Sequence, residues 1–197
     1  MPWTFYNATG EAMIIDGGVQ ASAAVFTGKV DLGSNLLVGN DGTTGIAISA
    51  NGEVNMAAQP CFLAYTSADT SNRTGAGAST HIDFDTEVFD VNSDFASYTF
   101  TAPVTGKYLL ATHVRTTGRT SASTYGYFRF NTSNRLYVQY QALNHNTEDS
   151  FSLTGIVDMD SGDTVTVLLT TYGESGNTVD ISSSSSPVTA FSGQLIS

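Results

Sequence analysis

Three histidines, His81, His113 and His145, are the residues best suited to bind a metal or shuttle a proton, and their spacing supports neither task. A zinc site needs ligands a few positions apart, as in His-Glu-X-X-His, whereas these fall in separate stretches of the chain. They are expected on strand faces or in the core. The carboxylates Asp83, Asp85 and Glu87 alternate and share one face of a strand, with Asp90 close behind. They could hold a cation or form an acid pair, but such alternation also makes the solvated face opposite Phe84 and Val88. Asp158, Asp160 and Asp163 could line a calcium site, and turn chemistry accounts for them equally. No nucleophile stands beside a base, so no catalytic residue, metal or cofactor is expected. For binding, Arg115 and Arg119 flank a Thr-rich loop, Tyr125 and Tyr127 follow it, and Tyr137, Tyr140 and His145 lie near another loop. Tyr and Arg are favoured at recognition surfaces. Arg115, Arg119, Tyr125 and His145 are taken as the ligand-binding candidates.

The elements that must position these groups are strands. Charged residues make up only 13% of the 197 residues, and clusters of Gly, Ser, Thr and Asn separate short runs rich in Val, Ile, Phe, Tyr and Thr. Such punctuation predicts an all-β protein. The expected strands after Pro60 are 61–65, 81–89, 98–101, 106–116, 125–131, 135–140, 151–159, 164–172 and 189–196, forming a jelly-roll sandwich. Long polar loops are expected at 66–80, 117–124, 141–150 and 173–187. Gly162-Asp163 is read as a hairpin turn, and Pro103 and Gly106 as flanking a turn that brings Phe100 and Tyr108 to a shared core.

Composition shifts near residue 60. Before it, apolar pairs recur at period two: Val30 and Leu32, Leu36 and Val38, Ile46 and Ile48, Val54 and Met56, with glycines between. GKVDL at 28–32 returns as GEVNM at 52–56, a degenerate repeat. Strands this short bury no core alone, so residues 1–60 predict either a wound trimeric β-repeat stalk or an arm lying on a partner. Trp3, Phe5, Tyr6, Met13, Ile14 and Ile15 make an apolar start expected to dock on another protein.

The formal net charge of -11 disfavours nucleic acid, which is bound through clustered Lys and Arg. Cys61 is the only cysteine, which excludes an intrachain disulfide. The start lacks a basic n-region and a continuous apolar run, so neither classical export nor membrane insertion is expected.

Four stretches occur in a familiar order: HIDFDTEVFD at 81–90, FTAPVTGKYLL at 100–110, MDSGDTVTV at 159–167 and AFSGQLI at 190–196. Together they resemble the globular head of complement C1q, whose fold is shared with tumour necrosis factor. The resemblance covers residues 61–197. It implies a ten-stranded jelly roll that assembles as a homotrimer, with Phe84, Phe89, Phe95, Phe100, Tyr108 and Phe191 matching the family's aromatic pattern, partly in the core and partly along the threefold axis. Asn131 stands where the family has Asn-Gly, and the Gly is absent. There is no Gly-X-Y stalk. WTFYNATGEAMIIDGG near the start is similar to the starts of bacteriophage particle proteins. That similarity implies a non-enzymatic projection on the virion surface, a capsid decoration, head fibre or short tail fibre. The head would face outward for adhesion or shell stabilisation. Partners would be two further copies of the chain, a capsid or tail protein, and a host-surface glycan or protein. A free lectin-like binding protein is the alternative.

Overall fold

The structure, a computed structural model, describes residues 36–38, 44–143, 147–183 and 186–197. The expected anchor residues Trp3, Phe5, Tyr6, Ile14 and Ile15, the pair Val30 and Leu32, and His145 lie outside them. Leu36–Ser197 form one compact unit. It opens with three short antiparallel strands, β1 (Leu36–Val38), β2 (Thr44–Ile48) and β3 (Val54–Asn55), in that order in a small sheet. Asn51-Gly52 makes the last hairpin possible: Gly52 sits at φ 88°, and Ser49 N donates to Glu53 O at 2.8 Å. Ile48, Val54 and Met56 stay exposed, as strands too short to bury a core require.

The sandwich follows. Its strands are β4 (Cys61–Tyr65), β5 (Thr70–Thr74), β6 (Ser79–His81), β7 (Thr86–Asp90), β8 (Phe95–Ala96), β9 (Thr99–Thr101), β10 (Gly106–Thr117), β11 (Tyr125–Thr132), β12 (Leu136–Ala142), β13 (Asp149–Met159), β14 (Thr164–Tyr172), β15 (Val179–Ser182) and β16 (Ala190–Leu195). The first sheet runs β5-β15-β10-β16-β4-β7, with β13 also paired to β10. The second runs β12-β11-β14-β9-β8, with β6 also on β14. These sheets hold seven and six strands, more than the ten implied by resemblance, and several are short, β6, β8 and β9 having only two or three residues.

Period-two alternation builds the core. β10 buries Tyr108, Leu110, Thr112, Val114 and Thr116, and β11 buries Phe128 and Phe130 between outward residues. Phe191 lies at the centre, 4.9 Å from Phe62, 5.6 Å from Phe84, 6.2 Å from Phe95 and 5.8 Å from Phe130, centroid to centroid. Phe100 and Tyr108 meet edge to face at 5.4 Å, and the Tyr108 hydroxyl donates to Val104 O at 2.7 Å. Gly193 makes close packing possible, since a Cβ there would stand 2.6 Å from both Leu110 Cδ2 and Phe62 Cε1.

Several expectations need correction. The strand expected at 81–89 is two: β6 pairs with β14 in one sheet and β7 with β4 in the other. Ile82 and Phe84 both enter the core as the chain crosses over, so alternation survives while the ladder does not. Gly162 does occupy a turn, at φ 93°, but not a hairpin, because β13 pairs with β10 and β14 with β11, so this turn also passes between sheets. Residues 66–80 and 173–187, read as loops, contain β5, β6 and β15. Phe89, implied by the resemblance for either the core or the threefold axis, lies outside the core, 47% exposed on the outer face of the first sheet.

Candidate functional site

The sandwich has two distinct ends. The small sheet enters at Pro60, whose carbonyl accepts from Leu195 N at 3.0 Å, while Gln59 Nε2 donates to Leu195 O at 2.6 Å. Lys107 N donates to Ser197 O at 2.7 Å, so the last residue belongs to this same end, the base. β10 runs from base to the far end, and its pairing with β13 and β15 carries Asp149 and Val179 there. The register of β11 with β12 and β14 puts Tyr125, Ala142 and Tyr172 at that distal end as well.

Arg115, Arg119 and Tyr125 are therefore all distal, but they do not form one surface. Arg115 is half-exposed and its Nη2 donates to Glu148 Oε2 at 2.6 Å, which raises the guanidinium's proton affinity further. Arg119, expected at the ligand surface, is buried. Its side chain has no exposure, its Nη2 meets Glu148 O and Asp149 Oδ2 at 3.1 Å, and among the described residues neither Nε nor Nη1 finds an acceptor. It holds the loop from within rather than meeting a ligand. Glu174 holds the same loop from the other side, accepting from Thr120 N, Thr120 Oγ1 and Ser123 Oγ at 2.6–2.8 Å. Burial would raise its pKa, but those hydrogen bonds outweigh burial and hold it below the usual carboxylate range.

Tyr125 belongs to a group that the sequence shows only in part. On the outer face of the second sheet it stacks on Tyr172 at 4.7 Å and 17°, and Tyr127 stands edge-on to Tyr125, Tyr140 and Tyr172 at 5.5, 4.2 and 5.6 Å. Hydrogen bonding with Tyr140, then desolvation and Tyr125, push the Tyr127 phenol well above its ordinary pKa, so it keeps its proton. Gly126, between the first two tyrosines, faces inward, where a Cβ would fall 2.9 Å from the Phe151 ring. Core packing thereby sets the height of the platform. Tyr172 was not among the expected residues, and Tyr137, which was, points away from this face, its hydroxyl donating to Asp158 Oδ1 at 2.8 Å.

The outer face of the first sheet is the second notable surface. Cys61, Phe62, Leu63, Phe89, Leu109, Ala111, Ser192, Gly193 and Gln194 line a shallow depression of about 440 Å³. Register aligns Phe89, Leu63, Ser192, Ala111 and Thr154 in one row, and Cys61, Gln194, Leu109 and Ile156 in the next. No charge lies within these rows, and Ile156 is 59% exposed.

Of the carboxylates considered as cation ligands, Asp83, Asp85, Asp90, Asp158 and Asp163 are engaged with protein donors. Asp83 pairs with Arg73 at 2.9 Å, Asp85 accepts from Ser67 N and Oγ, and Asp90 accepts from Asp94 N and Phe95 N. Because the strand breaks, Asp83, Asp85 and Glu87 do not share one ladder face. Asp158 accepts from Arg135 Nη2 at 2.7 Å, and Asp163 from Ser133 Oγ and Asn134 Nδ2, which fastens the turn after Asn131 without the family's glycine. Among the described residues no group of three His, Cys, Asp or Glu side chains converges as metal ligands would. His113 Nε2 lies 2.8 Å from Pro187 O, and His81 is exposed.

A sequence profile of the C1q domain matches residues 64–196. The chain belongs to the C1q family. Among solved structures, the globular domain of zebrafish complement 1qA protein is similar at 15% identity, covering 71% of this chain and 98% of that one, with a TM-score of 0.49. Murine APRIL at pH 5.0 is similar at 14% identity, covering 70% and 99%, with a TM-score of 0.48. No curated protein is significantly similar in sequence. The C1q domain thus comprises nearly all of the sandwich, from the middle of β4 to the residue after β16, and leaves the small sheet outside.

Proposed function

We propose that this chain is a non-enzymatic, homotrimeric binding head that projects from a bacteriophage particle as a capsid decoration or head fibre. Residues 61–197 form the head, and residues 1–60 anchor and space it, with Trp3, Phe5, Tyr6, Ile14 and Ile15 docking on a particle protein. The observation that carries the assembly is the uncharged outer face of the first sheet, around Leu63, Phe89, Leu109 and Ile156. A contiguous apolar patch of this kind marks an interaction site. The matching surface in this reading is on β12, an edge strand of the second sheet, where Leu136 and Val138 are exposed. Contact between a face and an edge is heterologous, and heterologous contacts make rings where the rotation closes, rather than twofold pairs.

Polarity supports the projecting arrangement. The chain enters the C1q domain at its base, so a tether through residues 1–60 holds the distal end away from whatever the tether grips. Adhesion or shell stabilisation would then fall to the outward surfaces, at the surface of the virion.

Sedimentation of the whole chain tests the assembly: a trimer is expected, and a monomer at micromolar concentration refutes it. Electron microscopy of particles with and without the protein tests its place. Density distributed over the capsid is expected, and density confined to the tail tip would replace the capsid reading with the tail-fibre one.

A further inference from the structure

The tyrosine platform lies at the distal end of the second sheet's outer face, while the proposed assembly uses the other sheet's face and, on β12, Leu136 and Val138 nearer the base. Its four rings form one connected unit. Tyr172 is fixed on its sheet-edge side by Gly77, where a Cβ would stand 2.7 Å from Tyr172 Cε1, and it supports Tyr125 in a parallel stack. Tyr127 wedges upright between that stack and Tyr140. The outermost rings are the accessible ones, Tyr140 at 68% and Tyr125 at 37% exposure. Rings locked by one another lose little freedom when something settles on them, which is the condition for affinity from a small contact.

Charge narrows what could settle there. Arg129 follows Tyr127 by two residues on the same face, its Nη2 held by Ser79 Oγ at 2.6 Å and Thr170 Oγ1 at 2.7 Å, with no carboxylate among its described partners. That fixed cation opposes an ammonium ligand over the rings. The chain's net charge of -11 opposes a polyanion. What remains is an uncharged ligand with a flat C–H face for the rings and hydroxyls for the polar rim. Pyranose rings have both, and the rim here supplies phenol hydroxyls and the exposed Ser79 hydroxyl.

We propose that the outer face of the second sheet, centred on Tyr125, Tyr127, Tyr140 and Tyr172, binds an uncharged oligosaccharide by stacking its sugar rings on Tyr140 and Tyr125. This deepens the binding-head reading and rests on it for biological meaning, but the site is complete within one protomer. Tyr140 and Tyr125 are the contact residues. Tyr127 and Tyr172 position them.

The test is saturation-transfer NMR on the full chain with neutral trisaccharides of glucose, mannose, galactose and N-acetylglucosamine as probes. Saturation of the tyrosine ring protons is expected to reach sugar protons for at least one probe. Tyr140→Ala should weaken that binding about tenfold, the loss of one aromatic contact, with the melting temperature unchanged. Tyr140→Phe, which keeps the ring, should retain most of it. Absence of transfer from every neutral probe at millimolar concentration overturns the proposal, as does equal binding by Tyr140→Ala. Binding of tetramethylammonium or of sialylated probes alone would likewise overturn it. Sedimentation of the same samples separates the two readings: a trimer that binds no sugar sinks only the saccharide site, and a monomer with Tyr140-dependent binding sinks only the assembly.

Discussion

Replacing Phe191 and Phe89 by alanine, one at a time, separates the core from the outer face of the same sheet. Phe191 has no exposure, and four phenylalanines surround it within 6.2 Å. Truncating a buried Phe costs about 3–5 kcal/mol, and the lost ring contacts place this site at the upper end, since the strands on either side prevent collapse. With about 2–4 °C per kcal/mol for a domain of this size, the melting temperature should fall by roughly 10–20 °C. That is a large share of the roughly 5–15 kcal/mol a domain holds in reserve. Phe89, 47% exposed, should cost no more than about 0.5 kcal/mol within a single protomer. If copies cover it, its loss acts through assembly instead, and the melting temperature becomes more dependent on concentration. Thermal melts followed by circular dichroism at two concentrations, a hundredfold apart, would measure both. A fall of less than about 4 °C for Phe191→Ala would refute the described core. An equal, concentration-independent fall for Phe89→Ala would mean that its ring is buried inside the protomer.

Gly193→Ala should destabilise by about 1–3 kcal/mol in urea melts, because its Cβ must displace Leu110 and Phe62 where neither has room to move. Ser97 and Tyr98, the central residues of the β8–β9 hairpin, sit at φ 50° and 64°, so Tyr98→Gly should stabilise by up to about 1 kcal/mol as the strain at a bulky left-handed residue is released. Acid should weaken the head through Asp158, held low by Tyr137 and Arg135, and Asp163, held low by Ser133. Their stabilisation is complete above the ordinary value of 3.8 and is lost as pH falls from there through the depressed values, so Asp163→Asn should flatten the pH dependence of the urea midpoint in that window. Asp94 has the opposite sign: burial and Asp90 raise its pKa, so its ionisation costs stability as pH rises from 3.8, and Asp94→Asn should remove that loss.

Strands that bury one face announced themselves in the sequence. β4 and β14 occupy the expected 61–65 and 164–172, and β10 differs by one residue, since apolar residues at period two have only one way to meet a core. β5 was hidden because TSNRT carries no apolar alternation, and β15 because Val179 and Ile181 are a single pair within a long polar stretch. What fixes β5 is polar: Thr74 Oγ1 donates to nearby Ala78 O at 2.6 Å and accepts from Thr171 N at 2.9 Å, a partner far away in the chain. The binding residues were legible to the same limit. Tyr125 and Tyr127 share a face by their spacing, but that Tyr140 and Tyr172 join them depends on register, which pairs Tyr127 with Tyr140 and Tyr125 with Tyr172. Arg119 misled because a Thr-rich loop suggests exposure, and nothing local reveals that Glu148, Asp149 and Glu174 close over it.

The place of β16 between β10 and β4 governs when this head can form. The sandwich's last strand to be synthesised is an inner strand of the first sheet, and it brings Phe191 and Gly193 to a core whose other walls are already made. Until it emerges from the ribosome, β4 lacks a partner on one edge and β10 lacks one along Tyr108–His113, and Phe62 lacks its edge-on contact with Phe191. Folding of the head must then wait for this strand and proceed through distant contacts, a route that is slow and leaves sticky edges open. A nascent chain in this condition is safest if its neighbours are copies of itself from the same message, arriving at the same moment. If copies cover the outer face, completion of the fold and the start of assembly become a single event.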